Sequence, residues 1–161
     1  MKFLRLTWIQ IEKMCISLAR KVARYKPEVI VAISRGGLVP GRILSDILDI
    51  SDVQVIRVKF YRTVGETELE PKIFQGQDLI IKGKKVLVVD DVADSGKSLA
   101  VIRAYLKRKN PAELKFATIH CKPISIFIPD FYVEETDKWV IYPWEKLEVK
   151  RELKELRTNH K

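Results

Sequence analysis

The apolar run Val86, Leu87, Val88, Val89 ends directly on two adjacent carboxylates, Asp90 and Asp91, and the chain then reads Asp94, Ser95, Gly96, Lys97, Ser98. An unbroken apolar run bounded by polar residues is the pattern of a strand covered on both faces. Burying two neighbouring carboxylates is costly unless a cation, hydroxyl groups or amide donors compensate. The pair therefore belongs where a buried strand reaches the surface and something binds. A second buried run, "EVIVAIS", ends in the same manner on Ser34, Arg35, Gly36 and Gly37.

Between and around these runs the hydrophobic period changes from strand to helix and back. Residues 7–25 place Trp8, Ile11, Met14, Cys15, Leu18 and Val22 at helical spacing, with Thr7 as N-cap and Pro27 as the stop. "GLVPGRILSDILDI" reads as a loop entering a helix, "VQVIRVKFY" as an alternating strand, "SLAVIRAYLKRK" as a helix and "LKFATIHC" as a strand. Residues 62–77 are polar and carry Gly65, Pro71 and Gly76, so a loop or weak hairpin is expected there. "FYVEE" and "WVIYPW" are extended and aromatic, and "EKLEVKRELKELR" is a charged helix with Leu147, Leu153 and Leu156 as its apolar seam. Strands alternating with helices indicate an α/β fold, an open and mainly parallel twisted sheet flanked by helices. The 161 residues, 47% hydrophobic and 32% charged, suffice for one globular domain with a core of its own.

Several classes are disfavoured. No segment is long and apolar enough to span a bilayer, and "MKFLRLTWIQ" lacks the apolar run of a secretory signal, so a cytoplasmic protein is expected. Two cysteines, Cys15 and Cys121, and two histidines suit neither a disulfide framework nor a structural zinc site. The formal charge of +9 fits a pocket for a polyanionic small molecule or a nucleic-acid surface; its commonest meaning is lysines and arginines solvating helix faces.

In an open parallel sheet, ligands bind beyond the carboxyl ends of the strands, which would bring both polar loops to one edge. Arg35 offers a forked cation, and Gly36 and Gly37 let backbone amides approach an anion. Residues 94–98 open a helix, whose unpaired amides suit a phosphate. A Walker A reading of "SGKS" fails, because that motif needs a glycine where Asp91 stands. Alone, "SRGG" would more often be a plain helix-entry turn. Combined, the loops describe a ligand with a diol, a monophosphate at one end and a diphosphate at the other, and phosphoribosyl diphosphate is such a ligand.

"VLVVDDVADSGKS" resembles the signature of the type I phosphoribosyltransferases, and "AISRGGLVPGRIL" resembles their diphosphate loop as found in xanthine–guanine phosphoribosyltransferases. The likeness extends to "LTWIQIEKMCISLAR", "FATIHCKP" and "DKWVIYPWEK". It implies a purine-salvage enzyme that transfers the phosphoribosyl group to a 6-oxopurine such as hypoxanthine or guanine. It also implies one domain with a mobile flap at about residues 62–77 and a small hood from about residues 122–145 plus N-terminal elements. Asp90 and Asp91 would serve the ribose hydroxyls and Mg²⁺, and Asp94, Ser95, Gly96, Lys97 and Ser98 the 5-phosphate. Ser34, Arg35, Gly36 and Gly37 would hold the diphosphate in a loop that often has a non-proline cis peptide. Asp94 would exchange the proton at the purine N7, Lys122 would contact the 6-oxo group, Trp139 would stack on the base, and Val140 would offer backbone contacts. A homodimer or homotetramer is expected, with neither membrane nor nucleic acid as partner.

The chain departs from the resemblance at Ile141, where bacterial xanthine–guanine enzymes carry an acid two places after the stacking tryptophan. Xanthine is accordingly expected to be a poorer substrate than hypoxanthine or guanine. The main alternative is a regulator that keeps this fold to sense phosphoribosyl diphosphate and binds nucleic acid. It would not need the general base and base-contact residues, and the chain has no helix-turn-helix signature. A pyrimidine-type transferase is disfavoured by Lys122 and Trp139.

Overall fold

The computed structural model describes residues 2–62, 69–76 and 78–158. In chain order its elements are β1 (Phe3–Arg5), α1 (Trp8–Val22), a 3₁₀ turn (Ala23–Tyr25), β2 (Val29–Ser34), α2 (Leu38–Ile47), β3 (Val53–Arg62) and β4 (Leu69–Gln75). They continue with β5 (Lys85–Ala93), α3 (Lys97–Lys107), β6 (Glu113–Cys121), β7 (Phe131–Glu135), β8 (Trp139–Ile141) and α4 (Lys146–Thr158). They form two compact units, one of Met14–Thr136 and a smaller one of Met1–Lys13 with Asp137–Lys161.

The larger unit is built on a six-stranded sheet of order β4-β3-β2-β5-β6-β7. All neighbours are parallel except β3 and β4, which form an antiparallel hairpin at one edge. The central strands are apolar throughout because both faces are covered. Val29, Val31 and Ile33 of β2 and Val86 and Val88 of β5 pack with Leu99, Ile102 and Leu106 of α3 and with Phe127. The alternate residues Ile30, Leu87 and Val89 pack with Leu18, Ala19 and Val22 of α1 and Leu44 of α2. Each such aliphatic side chain contributes roughly 1.5–3 kcal/mol when fully buried. The strand-to-helix alternation thus yields a three-layer sandwich, with α1 and α2 on one face and α3 on the other.

In the smaller unit, β1 and β8 pair in parallel, with Leu4 opposite Val140. Thr7 caps α1 as expected: its hydroxyl and backbone amide both donate to Gln10 Oε1 at 2.9 Å, and the Gln10 amide donates back to Thr7 Oγ1 at 3.3 Å. This reciprocal capping box satisfies orphan amides of the first turn. The Tyr142 and Trp144 rings stack at 4.7 Å.

Several expectations change in detail. Strand β5 does not stop at the acidic pair but continues through it to Ala93, registered against Cys121. Trp8, placed by its spacing on the apolar face of α1, is 54% exposed, while Ile11, Cys15, Leu18 and Val22 are fully buried. Leu147, read as part of the seam of α4, is 71% exposed, and Val149 is the buried residue instead. Of the expected flap, residues 63–68 and 77 lie outside the described residues. Its remaining part is β4, where Pro71 is tolerated because the strand is at the sheet edge.

Both cysteines are buried and unbridged, and burial pushes the Cys15 thiol up to about 12. His120, fully buried on β6, is pushed down from 6.5 to about 4, chiefly by burial and secondly by the charge of Lys122. The folded chain therefore favours neutral His120, and the unfolded chain binds the extra proton between these values. Stability associated with His120 is complete above pH 6.5 and is lost as pH falls towards 4, by on the order of 3 kcal/mol. Urea unfolding of the wild type and His120→Asn across this range should show a steeper acid loss in the wild type. Parallel curves would rule the linkage out.

Candidate active site at the carboxyl edge of the sheet

Strands β2 and β5 are hydrogen-bonded neighbours, with Ala32 opposite Val89, so both ends emerge side by side. From β2 the chain proceeds through α2 to β3 on one side of the sheet, and from β5 through α3 to β6 on the other. The helices α2 and α3 lie on opposite faces. This is a topological switch point, where diverging connections open a crevice at the carboxyl edge.

Ser34 ends β2, and its peptide bond to Arg35 is cis. The turn closes with the Gly37 amide donating to Ile33 O at 2.8 Å and the Leu38 amide to Arg35 O at 3.2 Å. Arg35 is exposed. Gly36 lies against the acidic pair: a Cβ there would fall onto the Asp91 carboxylate, 2.6 Å from Oδ1, and that side chain would have to shift. The diphosphate-loop candidates 34–37 and the acidic pair are thereby brought into contact.

On β5, Asp91 is buried, and its amide donates to Asp90 Oδ1 at 3.0 Å. Asp90 keeps some exposed area, yet the surrounding protein holds its carboxyl well above the usual carboxylate range. Loss of hydration is the main cause and the charge of Asp91 the second. Two adjacent acids with reduced hydration are a pair whose charge a cation or hydroxyl donors would stabilise.

Beyond Ala93, Asp94 and Ser95 are exposed and Gly96 takes the left-handed conformation at φ 78° as the N-cap of α3. No side chain caps this helix at that position. The Lys97 amide donates weakly to Ser95 Oγ at 3.4 Å, and the first turn of the helix, with Lys97 and Ser98, opens at this loop, where helix amides suit an anion. Lys97 Nζ pairs with Glu70 Oε1 of β4 at 3.4 Å, a contact between the phosphate-loop candidate and the hairpin that the sequence did not disclose. Both side chains are partly exposed, so the pair adds little stability.

Lys122 follows β6, and its amide donates to Ala93 O at 2.9 Å, which fixes its backbone beside the same loop. Trp139 and Val140 lie on β8 in the smaller unit, Trp139 45% exposed and Val140 buried. The larger unit thus gathers Ser34, Arg35, Gly36, Gly37, Asp90, Asp91, residues 94–98 and Lys122 at one edge of its sheet.

Fold and site together define an open α/β protein whose switch point carries loops of the kind that suit a phosphorylated ligand. The sequence pattern of the phosphoribosyl transferase domain matches residues 6–154. The chain belongs to the phosphoribosyltransferase family. It is 33% identical over 153 residues to the xanthine-guanine phosphoribosyltransferase of Cereibacter sphaeroides, covering 89% of this chain and 87% of that protein. The crystal structure of a purine phosphoribosyltransferase from Pyrococcus horikoshii superposes with a TM-score of 0.83 at 41% identity, covering 91% of this chain and 95% of the other. A Neisseria gonorrhoeae protein with bound ppGpp superposes with a TM-score of 0.82 at 28% identity, covering 94% of each chain.

The contact between Gly36 and Asp91 gives a direct test. Gly36→Ala should displace the Asp91 carboxylate, with a stability loss of about 1–3 kcal/mol from overpacking. Affinity for phosphoribosyl diphosphate should fall at the same time. Titration calorimetry and urea unfolding would check it, and unchanged affinity would separate the β2 loop from the ligand.

Proposed function

We propose that this protein is a purine-salvage phosphoribosyltransferase that transfers the 5-phosphoribosyl group from phosphoribosyl diphosphate to a 6-oxopurine and releases diphosphate. The observation that carries this reading is the side-by-side emergence of an arginine–glycine loop and a two-carboxylate strand end that runs into a helix N-terminus. One loop suits a diphosphate, the acids a diol, and the helix start a phosphate monoester. The purine preference is supported by the names of the relatives.

Asp90 and Asp91 accept hydrogen bonds from the ribose hydroxyls. The amides of residues 95–98 hold the 5-phosphate, with the Lys97 ammonium supplying charge. Arg35 and the turn at residues 34–37 hold the diphosphate and neutralise the charge that grows on it as the bond to the anomeric carbon breaks. Asp94 removes the proton at the purine N7, which keeps the reacting nitrogen nucleophilic. Lys122 donates to the 6-oxo group, Trp139 stacks on the base, and Val140 offers backbone contacts; these three roles follow the family pattern. Ile141 is buried and aliphatic, so no side chain at that position reads the purine 2-substituent. Pro71 and its strand neighbours in β4 belong to the flap that excludes water.

Mg²⁺ fits the acidic pair. Among the described residues no three acids, histidines or cysteines converge, so a cation here would take further oxygens from substrate and water, as Mg²⁺ commonly does. When bound at Asp90 and Asp91 it would supply charge neutralisation for the diphosphate. A homodimer or homotetramer follows the family pattern, and the proposed site of action is the cytoplasm.

The primary test is incubation with phosphoribosyl diphosphate, Mg²⁺ and each purine base, followed by nucleotide detection. Hypoxanthine and guanine should be used well, xanthine less and adenine poorly, because a lysine donor favours a 6-oxo over a 6-amino group. Chelation should abolish turnover and Mg²⁺ should restore it; preferred use of adenine would overturn the 6-oxopurine reading. Asp94→Asn keeps the loop but removes the base, so kcat should fall by roughly 10²–10⁴ while affinity for phosphoribosyl diphosphate changes little. Activity within a few-fold of wild type would reduce Asp94 to a loop residue.

A further inference from the structure

The phosphate-binding loop rests on a second loop, residues 122–127, whose sequence alternates exposed isoleucines with buried residues. Ile124 and Ile126 are 76% and 73% exposed, while Ser125 and Phe127 are 9% and 6% exposed. Ser125 folds this loop onto itself: its hydroxyl donates to Phe127 O at 2.8 Å and accepts from the Phe127 amide at 3.3 Å. The Ser125 amide donates to Lys122 O at 3.0 Å. Two backbone bonds then lace this loop to the phosphate loop, from the Lys122 amide to Ala93 O at 2.9 Å and from the Ile126 amide to Ser95 O at 3.1 Å. The fit is close, since a Cβ on Gly96 would lie 2.6 Å from both the Phe127 nitrogen and Ser125 Oγ. Phe127 anchors the assembly in the core, edge-on to Phe116 at 4.8 Å.

We infer that Ser125 is a positioning residue that holds the turn following Lys122 and so sets the reach of the Lys122 side chain to the purine 6-position, while the backbone bonds that lace this turn to the phosphate loop set the seat of the 5-phosphate. This rests on the purine reading of Lys122 above. Removing the hydroxyl leaves a buried amide and carbonyl of Phe127 without their partner, which loosens the turn next to Lys122. The two lacing bonds are backbone bonds and survive, so the seat of the phosphate is retained.

The test compares Ser125→Ala with the wild type on hypoxanthine and adenine. Only the 6-oxo group gains from Lys122, so kcat/KM for hypoxanthine should fall about tenfold or more, the scale of a small misplacement in an active site. The value for adenine, and the KM for phosphoribosyl diphosphate, should stay within about twofold. Equal losses on both bases would mean that Ser125 only supports the fold, and no change on either would also overturn the inference. A second measurement needs no variant. Addition of phosphoribosyl diphosphate to the wild-type chain should slow hydrogen exchange at the Lys122 and Ile126 amides together with those of residues 95–98. Protection confined to residues 95–98 overturns the inference. Protection nowhere, with no nucleotide formed from any purine, overturns instead the phosphoribosyltransferase reading on which the inference stands.

Discussion

The parallel pairing of β2 with β5 is the constraint from which the rest follows. These two strands are buried on both faces, and their alternate side chains lock α1 and α2 against one layer and α3 against the other. Because the chain leaves them in opposite directions across the sheet, their carboxyl ends cannot be covered by a common connection. The crevice is therefore a by-product of the packing, and the polar residues at its rim are mounted on strands buried on both faces. A site that must place two anionic groups and a diol at fixed separations gains from such a mounting.

The site departs from what stability alone would choose. Asp90 and Asp91 sit together with their hydration reduced, and the carboxyl of Asp90 is driven upward as a result. Gly36 and Gly96 forgo side chains so that loops can touch the acids and the neighbouring turn. Such arrangements, unfavourable by themselves, are characteristic of sites whose charge and donors a ligand is meant to match. The two apolar clusters beneath, one on each face of the sheet, offset these local costs.

Much of this was legible in the chain. The continuous apolar runs at 29–33 and 86–89, the helical period from Ile11 to Val22 and the capping threonine all lie where local patterning puts them. The loops at Ser34 and Asp94 were recognisable because the needed chemistry uses a narrow set of residue types in a short stretch. Trp8 and Leu147 were misplaced for a common reason: helical spacing identifies a stripe, but it does not say where along the stripe the neighbouring layer ends. The extension of β5 past Asp91 was hidden because carboxylates usually end a buried strand, and here β6 continues to pair with it.

The sequence by itself determined which segments are strands and helices, that their alternation makes a parallel sheet, and which residue types could hold a phosphorylated sugar. Strand order, register and the contacts between loops were decided only by the tertiary structure. That Glu70 reaches Lys97, that Ile126 binds Ser95 and that Ser125 underlies Gly96 depend on segments 27 to 31 residues apart. Periodicity reports each segment's preference for a buried face, a local property. Which distant segment supplies the covering surface depends on packing all the layers at once, and no short stretch of the chain contains that information.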